Sequence, residues 1–132
     1  PFFFFKEYAN AVSACHVALV SLQKDLEGMA VPSKIIGIMA AAIPVIALVP
    51  EESEIAAMVH EENCGLIVPP GDVHALKKAI ETLKNNEVLR KQMAQNGRLA
   101  FEKKYTTTMV AEKYKQLIEL IDTDNRYNDE HD

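Results

Sequence analysis

The sequence predicts an α/β fold in which a parallel sheet of three strands is flanked by helices and followed by a helical C-terminus. Short apolar runs, typical of strands buried on both faces, alternate along the chain with segments of helical periodicity. Strands that alternate with helices form parallel sheets through crossover connections. The chain has 132 residues, 48% of them hydrophobic and 25% charged, which is enough for one hydrophobic core.

Three apolar runs are the predicted strands. The first spans residues 16–22 and reads His-Val-Ala-Leu-Val-Ser-Leu, a near-continuous run that predicts burial on both faces. The second spans residues 44–49, and the third spans residues 65–68 and ends at Pro69-Pro70-Gly71. Ligands of parallel sheets bind beyond the carboxyl ends of the strands, so we expect a site in the segments that follow them.

Helical segments surround these strands. Pro32 suits a first helical turn, Asp72 suits an N-cap, and Thr106 suits the cap of the last helix. Asn96-Gly97 is expected to interrupt or end the fifth helix. The predicted helices cover residues 6–14, 32–42, 52–61, 73–84, 87–103 and the segment after Thr106. Apolar residues spaced for one face mark the fourth and the last helix: Val73, Leu76, Ile80 and Leu83, and Val110, Tyr114, Leu117 and Ile121.

Charge and cysteine content exclude several classes of function. The net charge is −5, and the acidity belongs to the C-terminal end, which is polar and acidic. We therefore expect a partial domain at residues 1–121, a disordered acidic tail at residues 122–132, and neither nucleic-acid nor anionic-membrane binding. Two cysteines cannot build a disulfide framework, and no apolar run has the length of a membrane span, which together favour a cytoplasmic protein.

The chain begins Pro-Phe-Phe-Phe-Phe, without a methionine. Four consecutive phenylalanines at a free N-terminus are unusual in a complete soluble protein, so we expect a fragment of something larger. A fragment of this kind exposes the Phe cluster and the edge of its first strand, and open strand edges invite pairing. We expect a homo-oligomer formed through these surfaces.

A candidate anion site lies where the loop after the first strand enters a helix. The loop contains Glu27 and Gly28, and the helix opens with Pro32, Ser33 and Lys34. Free N–H groups and the helix dipole favour a negative charge there, and Lys34 adds a positive one. The functional interpretation is a phosphate or nucleotide pocket. The alternative is a plain capped helix with a solvated Lys34.

Acidic residues follow the second strand. Glu51, Glu52 and Glu54 could grip sugar hydroxyls or act in acid–base chemistry, or they could simply be acids favoured in a first helical turn. The four histidines have no metal-site spacing, so we expect no metal and regard them as structural or solvated. No serine-elbow, Walker or Gly-x-Gly-x-x-Gly motif is present, so the catalytic residues stay unknown.

Two segments resemble a known family. Residues 31–47 read Val-Pro-Ser-Lys-Ile-Ile-Gly-Ile-Met-Ala-Ala-Ala-Ile-Pro-Val-Ile-Ala, and residues 64–72 read Cys-Gly-Leu-Ile-Val-Pro-Pro-Gly-Asp. These segments are similar to the donor-site region of retaining glycosyltransferases of family 4, or group 1, which have the GT-B fold. The resemblance covers about residues 5–121.

The resemblance implies a Rossmann-like domain of which this chain is the second half, in the C-terminal part of the GT-B fold. The domain would bind a nucleotide-sugar donor without a metal, using Glu27, Gly28, Pro32–Lys34 and Glu54. A missing N-terminal domain would bind a glycan or lipid acceptor, and the chain alone would be inactive. The longer protein would be cytoplasmic, with a peripheral position at the inner membrane face as a second option.

Three positions depart from the family pattern. Gly37 stands where the second glutamate of a Glu-x7-Glu motif usually grips the ribose, Ala42 stands where glycine is usual, and Glu52 stands where a small residue is common. A carboxylate near a diphosphate repels it. These departures keep open an alternative: an inactive GT-B-fold module for binding or assembly. An epimerase of the same fold is a third option, with no good match in the sequence.

Overall fold

Three short parallel strands form the centre of the computed structural model, which describes residues 10–11, 14–22 and 33–129. They are β1 (Ala18–Ser21), β2 (Val45–Leu48) and β3 (Gly65–Val68), in the order β1-β2-β3. Ala18 lies opposite Val45, and Val45 lies opposite Gly65. The predicted three-stranded parallel sheet is therefore confirmed. Most of the predicted helix at 6–14, the loop at 23–32 and the Phe cluster lie outside the described residues.

The helices alternate with the strands and then continue without them. Their bounds are α1 (Ser33–Ala40), α2 (Glu54–Glu62), α3 (Val73–Asn85), α4 (Glu87–Ala100), a π-helical turn (Phe101–Tyr105) and α5 (Thr107–Asp129). α5 continues past Asp122, so the predicted start of the acidic tail does not coincide with a helix end.

Short polar side chains cap the starts of four of these helices. Ser53, Asp72 and Asn86 each accept a hydrogen bond from the backbone N–H three residues later, over 3.1, 2.9 and 3.0 Å. Thr106 accepts one from the Met109 N–H at 3.3 Å. Each bond satisfies one N–H group that the first helical turn leaves without a partner. The predicted caps at Asp72 and Thr106 are confirmed.

Ala42 ends α1 in a left-handed backbone conformation. Its φ is 57°, its N–H donates to Met39 O over 3.0 Å, and the Ile43 N–H donates to Ile38 O over 3.3 Å. These two bonds define a Schellman motif in which Ala42 holds the position that usually belongs to glycine. The helix therefore stops in two residues and the chain turns directly into β2.

The core lies on both faces of the sheet. Alternate residues of β2 point to opposite faces, because side chains alternate along a strand. Val45 and Ala47 pack with α1 and α2, whereas Ile46 packs with α3 and α4, and all three are fully buried. We call the two groups the α1–α2 cluster and the α3–α4 cluster. Their largest fully buried members are Ile35, Met39, Val45, Val49 and Val59 in the first, and Ile46, Val68 and Leu83 in the second.

α4 connects the two clusters. Met93 belongs to the α3–α4 cluster and Ala100 to the α1–α2 cluster. The predicted interruption at Asn96-Gly97 is wrong, because α4 runs through these residues. Gly97 is instead the point of close approach: a Cβ there would lie 3.3 Å from Cys64 Cβ. Asn96 Nδ2 donates to the Asn63 carbonyl over 3.1 Å beside it.

Some predicted burial is also wrong. β1 is not buried on both faces, since Leu19 is 55% exposed and Ser21 is exposed. The reason is that β1 lies at the edge of the described sheet, with β2 as its one neighbouring strand, whereas α3 covers β2 and β3. In α3 the buried side chains are Ala79 and Leu83, whereas Val73 and Ile80, predicted for the same face, are exposed. In α5 the stripe residues Tyr114 and Leu117 are exposed as well.

Candidate functional site

The carboxyl edge of the sheet collects the segments that the sequence singled out. The end of α1 is followed within five residues by Val45, the first residue of β2, so this end of α1 lies at the amino edge of the sheet. Eight helical residues rise about 12 Å, which carries the start of α1 to the carboxyl edge. α2 comes after β2 along the chain, so the start of α2 also lies at the carboxyl edge. The starts of both helices therefore lie at one edge of the sheet and over the same face.

Three of the six predicted site residues lie at this edge. Ser33 is the first residue of α1, Lys34 is the second and is exposed, and Glu54 is the exposed first residue of α2. The helix dipole and the exposed ammonium of Lys34 give the start of α1 a positive potential. The other three predicted residues, Glu27, Gly28 and Pro32, lie outside the described part of the chain.

The loop after β2 is a tight turn with fixed side chains. The Ser53 N–H donates to Pro50 O over 3.0 Å, and the Ser53 side chain caps α2. The Glu51 carboxylate lies 2.5 Å from Nε2 of His60, on the last turns of α2. Glu52 is exposed at the same turn. Sequence reasoning regarded all four histidines as structural or solvated and missed this pair, because nine residues separate its members.

The loop after β3 is the third element of this edge. Gly71 has a φ of 81°, which favours glycine because a Cβ is crowded in this conformation. The Asp72 N–H donates to Pro69 O over 3.2 Å, and the Asp72 carboxylate caps α3. The turn after β3 therefore consists of Pro69-Pro70-Gly71-Asp72, and it connects the end of β3 directly to the start of α3.

The only cysteine in the core is remote from this edge and is not a nucleophile. Cys64 precedes β3 at the amino edge, and its burial raises the pKa of its thiol to about 11. The thiol is therefore protonated at neutral pH, and the thiolate is the reactive form of cysteine. Among the residues that the structure describes, no group of three or more His, Cys, Asp or Glu side chains is arranged to hold a metal ion.

An apolar groove of about 470 Å³ lies elsewhere, between β1 and α3. Leu19, Ile46 and Ile80 line it, with Lys84 and Arg90 at its side. Neither Lys34 nor Glu54 lines this groove. We assign the candidate site to the carboxyl edge of the sheet instead, because helix starts and polar groups converge there.

Comparison with known proteins decides the family. The family model of glycosyl transferases group 1 matches residues 2–100. The chain belongs to this family. The match confirms the resemblance drawn from the sequence, and the three-stranded parallel sheet with its flanking helices is the Rossmann-like α/β arrangement expected for part of a GT-B glycosyltransferase.

A curated relative extends the comparison. Over 72 residues the chain is 38% identical to the probable glycosyltransferase WbjE of Pseudomonas aeruginosa. This match covers 54% of the chain and 18% of the relative, so the match spans less than a fifth of that protein's length. Within the described segments, none of the helices combines the length and the apolar composition that a membrane span requires.

Proposed function

We propose that the carboxyl edge of the sheet binds the diphosphate of a nucleotide-sugar donor for a retaining glycosyl transfer. The observation that carries the proposal is the exposed Lys34 on the first turn of α1, in a chain of the group 1 glycosyltransferase family. A helix N-terminus offers backbone N–H donors to an anion, and the ammonium adds a full positive charge. Glu54, at the start of the neighbouring helix, would accept hydrogen bonds from sugar hydroxyls.

The chemistry supported by these groups is stabilisation of a leaving group. When the bond between the sugar and the diphosphate breaks, negative charge accumulates on the diphosphate. Fixed N–H groups and Lys34 would stabilise that charge most in the transition state. The acceptor in this proposal is a polysaccharide, glycolipid or similar molecule held by an acceptor-binding domain, in a cytoplasmic enzyme. The chain on its own would bind the donor without transferring the sugar.

A thermal-shift panel with UDP-, GDP- and ADP-linked sugars tests donor binding. A ligand that binds the native state raises its apparent stability by mass action. We expect one nucleotide class to raise the Tm, and Lys34→Ala to weaken that binding at least tenfold, equivalent to about 1.4 kcal/mol. Lys103→Ala is the matched control: Lys103 is exposed on the π-helical turn beside Lys104, which pairs with Glu62 at the end of α2.

A second candidate is an inactive GT-B-fold module for binding or assembly. The exposed carboxylate of Glu52 at the same edge favours it, because a negative charge there opposes diphosphate binding. A folded chain whose Tm responds to none of the nucleotide sugars would support this candidate and contradict the donor site.

We also propose that the open edge of β1 associates with a second chain. In the described sheet β1 pairs only with β2, and Leu19 is exposed on its surface. A free strand edge presents unpaired N–H and C=O groups to a partner. Light scattering tests this proposal: a dimer or larger assembly is expected, and a monodisperse monomer would contradict it.

A further inference from the structure

The Glu51–His60 pair lies next to the candidate donor site and has no role in the chemistry described so far. Glu51 belongs to the turn between β2 and α2, at the carboxyl edge of the sheet. His60 lies seven residues beyond the cap Ser53, which is about 10 Å along α2 toward the amino edge. Oε1 of Glu51 and Nε2 of His60 are 2.5 Å apart, although both side chains are more than half exposed.

The direction of this contact matters for the charge at the edge. A glutamate in that turn could extend over the start of α1 and α2 or lie back along the side of α2. The contact with His60 takes the Glu51 carboxylate along α2, away from the helix starts. Among the described residues of α1, α2 and the turn between β2 and α2, the charged groups that remain at this edge are then Lys34, Glu52 and Glu54.

We propose that His60 is a positioning residue that withdraws the carboxylate of Glu51 from the donor site. The inference rests on the proposed function, since withdrawal matters only if an anion binds at this edge. Without His60, the Glu51 carboxylate is free to lie over the turn, where it would repel the diphosphate because the two groups carry like charge. The Nε2–H group makes this bond in neutral imidazole as well as in the protonated ring, provided that the proton lies on Nε2.

Titration calorimetry with UDP, and with GDP and ADP in parallel, tests the inference on the 132-residue chain. We expect His60→Ala to weaken binding about fivefold at low salt and less at high salt, because salt screens exposed charges. His60→Gln keeps a hydrogen-bond donor and should bind almost like wild type. The decisive variant is His60→Ala combined with Glu51→Gln, which removes the repelling charge and should bind as well as Glu51→Gln alone.

The outcomes separate this inference from the proposed function. If wild type binds one of the diphosphates and His60→Ala binds it equally well, the inference is overturned and the donor site stands. If the double variant binds as weakly as His60→Ala, His60 acts without Glu51 and the inference is also overturned. If wild type binds none of the three, both fail.

Discussion

Replacement of Ala42 by glycine should stabilise the protein. Ala42 has a φ of 57° and is exposed, so its methyl group makes no buried contact that glycine would lose. Left-handed backbone conformation costs a residue with a Cβ roughly 1–2 kcal/mol, because the Cβ crowds the following carbonyl oxygen. Glycine avoids this cost but loses more conformational entropy on folding, by roughly 0.5–1 kcal/mol.

The difference between these two effects sets the expected magnitude. Ala42→Gly should raise the free energy of unfolding by about 1 kcal/mol, and the Tm by about 4 °C for a chain of this size. Urea denaturation followed by circular dichroism measures the change, provided that the m-value is the same in both proteins.

Ala57→Gly is the matched control for Ala42→Gly. Ala57 is also exposed, but it lies in the middle of α2 with ordinary helical backbone. Glycine there should destabilise the protein by about 1 kcal/mol. The reasoning is refuted if both substitutions destabilise by the same amount, because residue 42 would then not adopt the left-handed conformation in solution.

Three further substitutions have outcomes that follow from single contacts. Gly65→Ala should destabilise by more than about 3 kcal/mol in urea denaturation, because its Cβ would lie 2.1 Å from the backbone oxygen of Val45 in the neighbouring strand. Asp72→Ala removes the acceptor for the Ala75 N–H and should cost about 1 kcal/mol in the same assay. Cys64→Ala should flatten the decline of stability with rising pH. The folded thiol has a pKa of about 11 against an ordinary 9.0, so its contribution of about 3 kcal/mol is complete below pH 9 and lost toward pH 11.

Each of these expectations has a contrary result. A stable Gly65→Ala protein would mean that β2 and β3 are further apart than described. An Asp72→Ala protein of wild-type stability would mean that water replaces the cap at no cost. For Cys64→Ala the comparison is the slope between pH 9 and pH 11, since the lost side chain also lowers stability at every pH. Equal slopes in both proteins would contradict a buried, protonated thiol.

The parts of the fold that were predictable are those that depend on local sequence. The apolar run of β3 stops at two prolines, and the structure ends the strand at Val68 as predicted. Asp72 was recognisable as a cap because a short carboxylate side chain directly before an amphipathic helix is a preferred N-cap. The position of Lys34 and Glu54 at one edge followed from the parallel order of the strands, since the segments after parallel strands meet at one edge.

The parts that were not predictable depend on tertiary contacts. Leu19 looks like a core residue in sequence, and only the absence of a covering helix over β1 in the described structure makes it exposed. Gly97 looks like a helix breaker, but close packing against Cys64 keeps it inside α4. The Glu51–His60 contact depends on how the turn after β2 lies against α2, which no local pattern encodes.

The packing of α4 in both clusters has a consequence for how the protein unfolds. One end of the helix packs in the α3–α4 cluster through Met93 and the other in the α1–α2 cluster through Ala100. Detachment of α4 therefore removes packing contacts from both clusters at once. We expect the two helical layers to open together and not as separate subglobal units, so that the strands and α1 to α4 behave as one cooperative folding unit. A donor bound at the carboxyl edge would stabilise both layers together, including the layer that it does not touch.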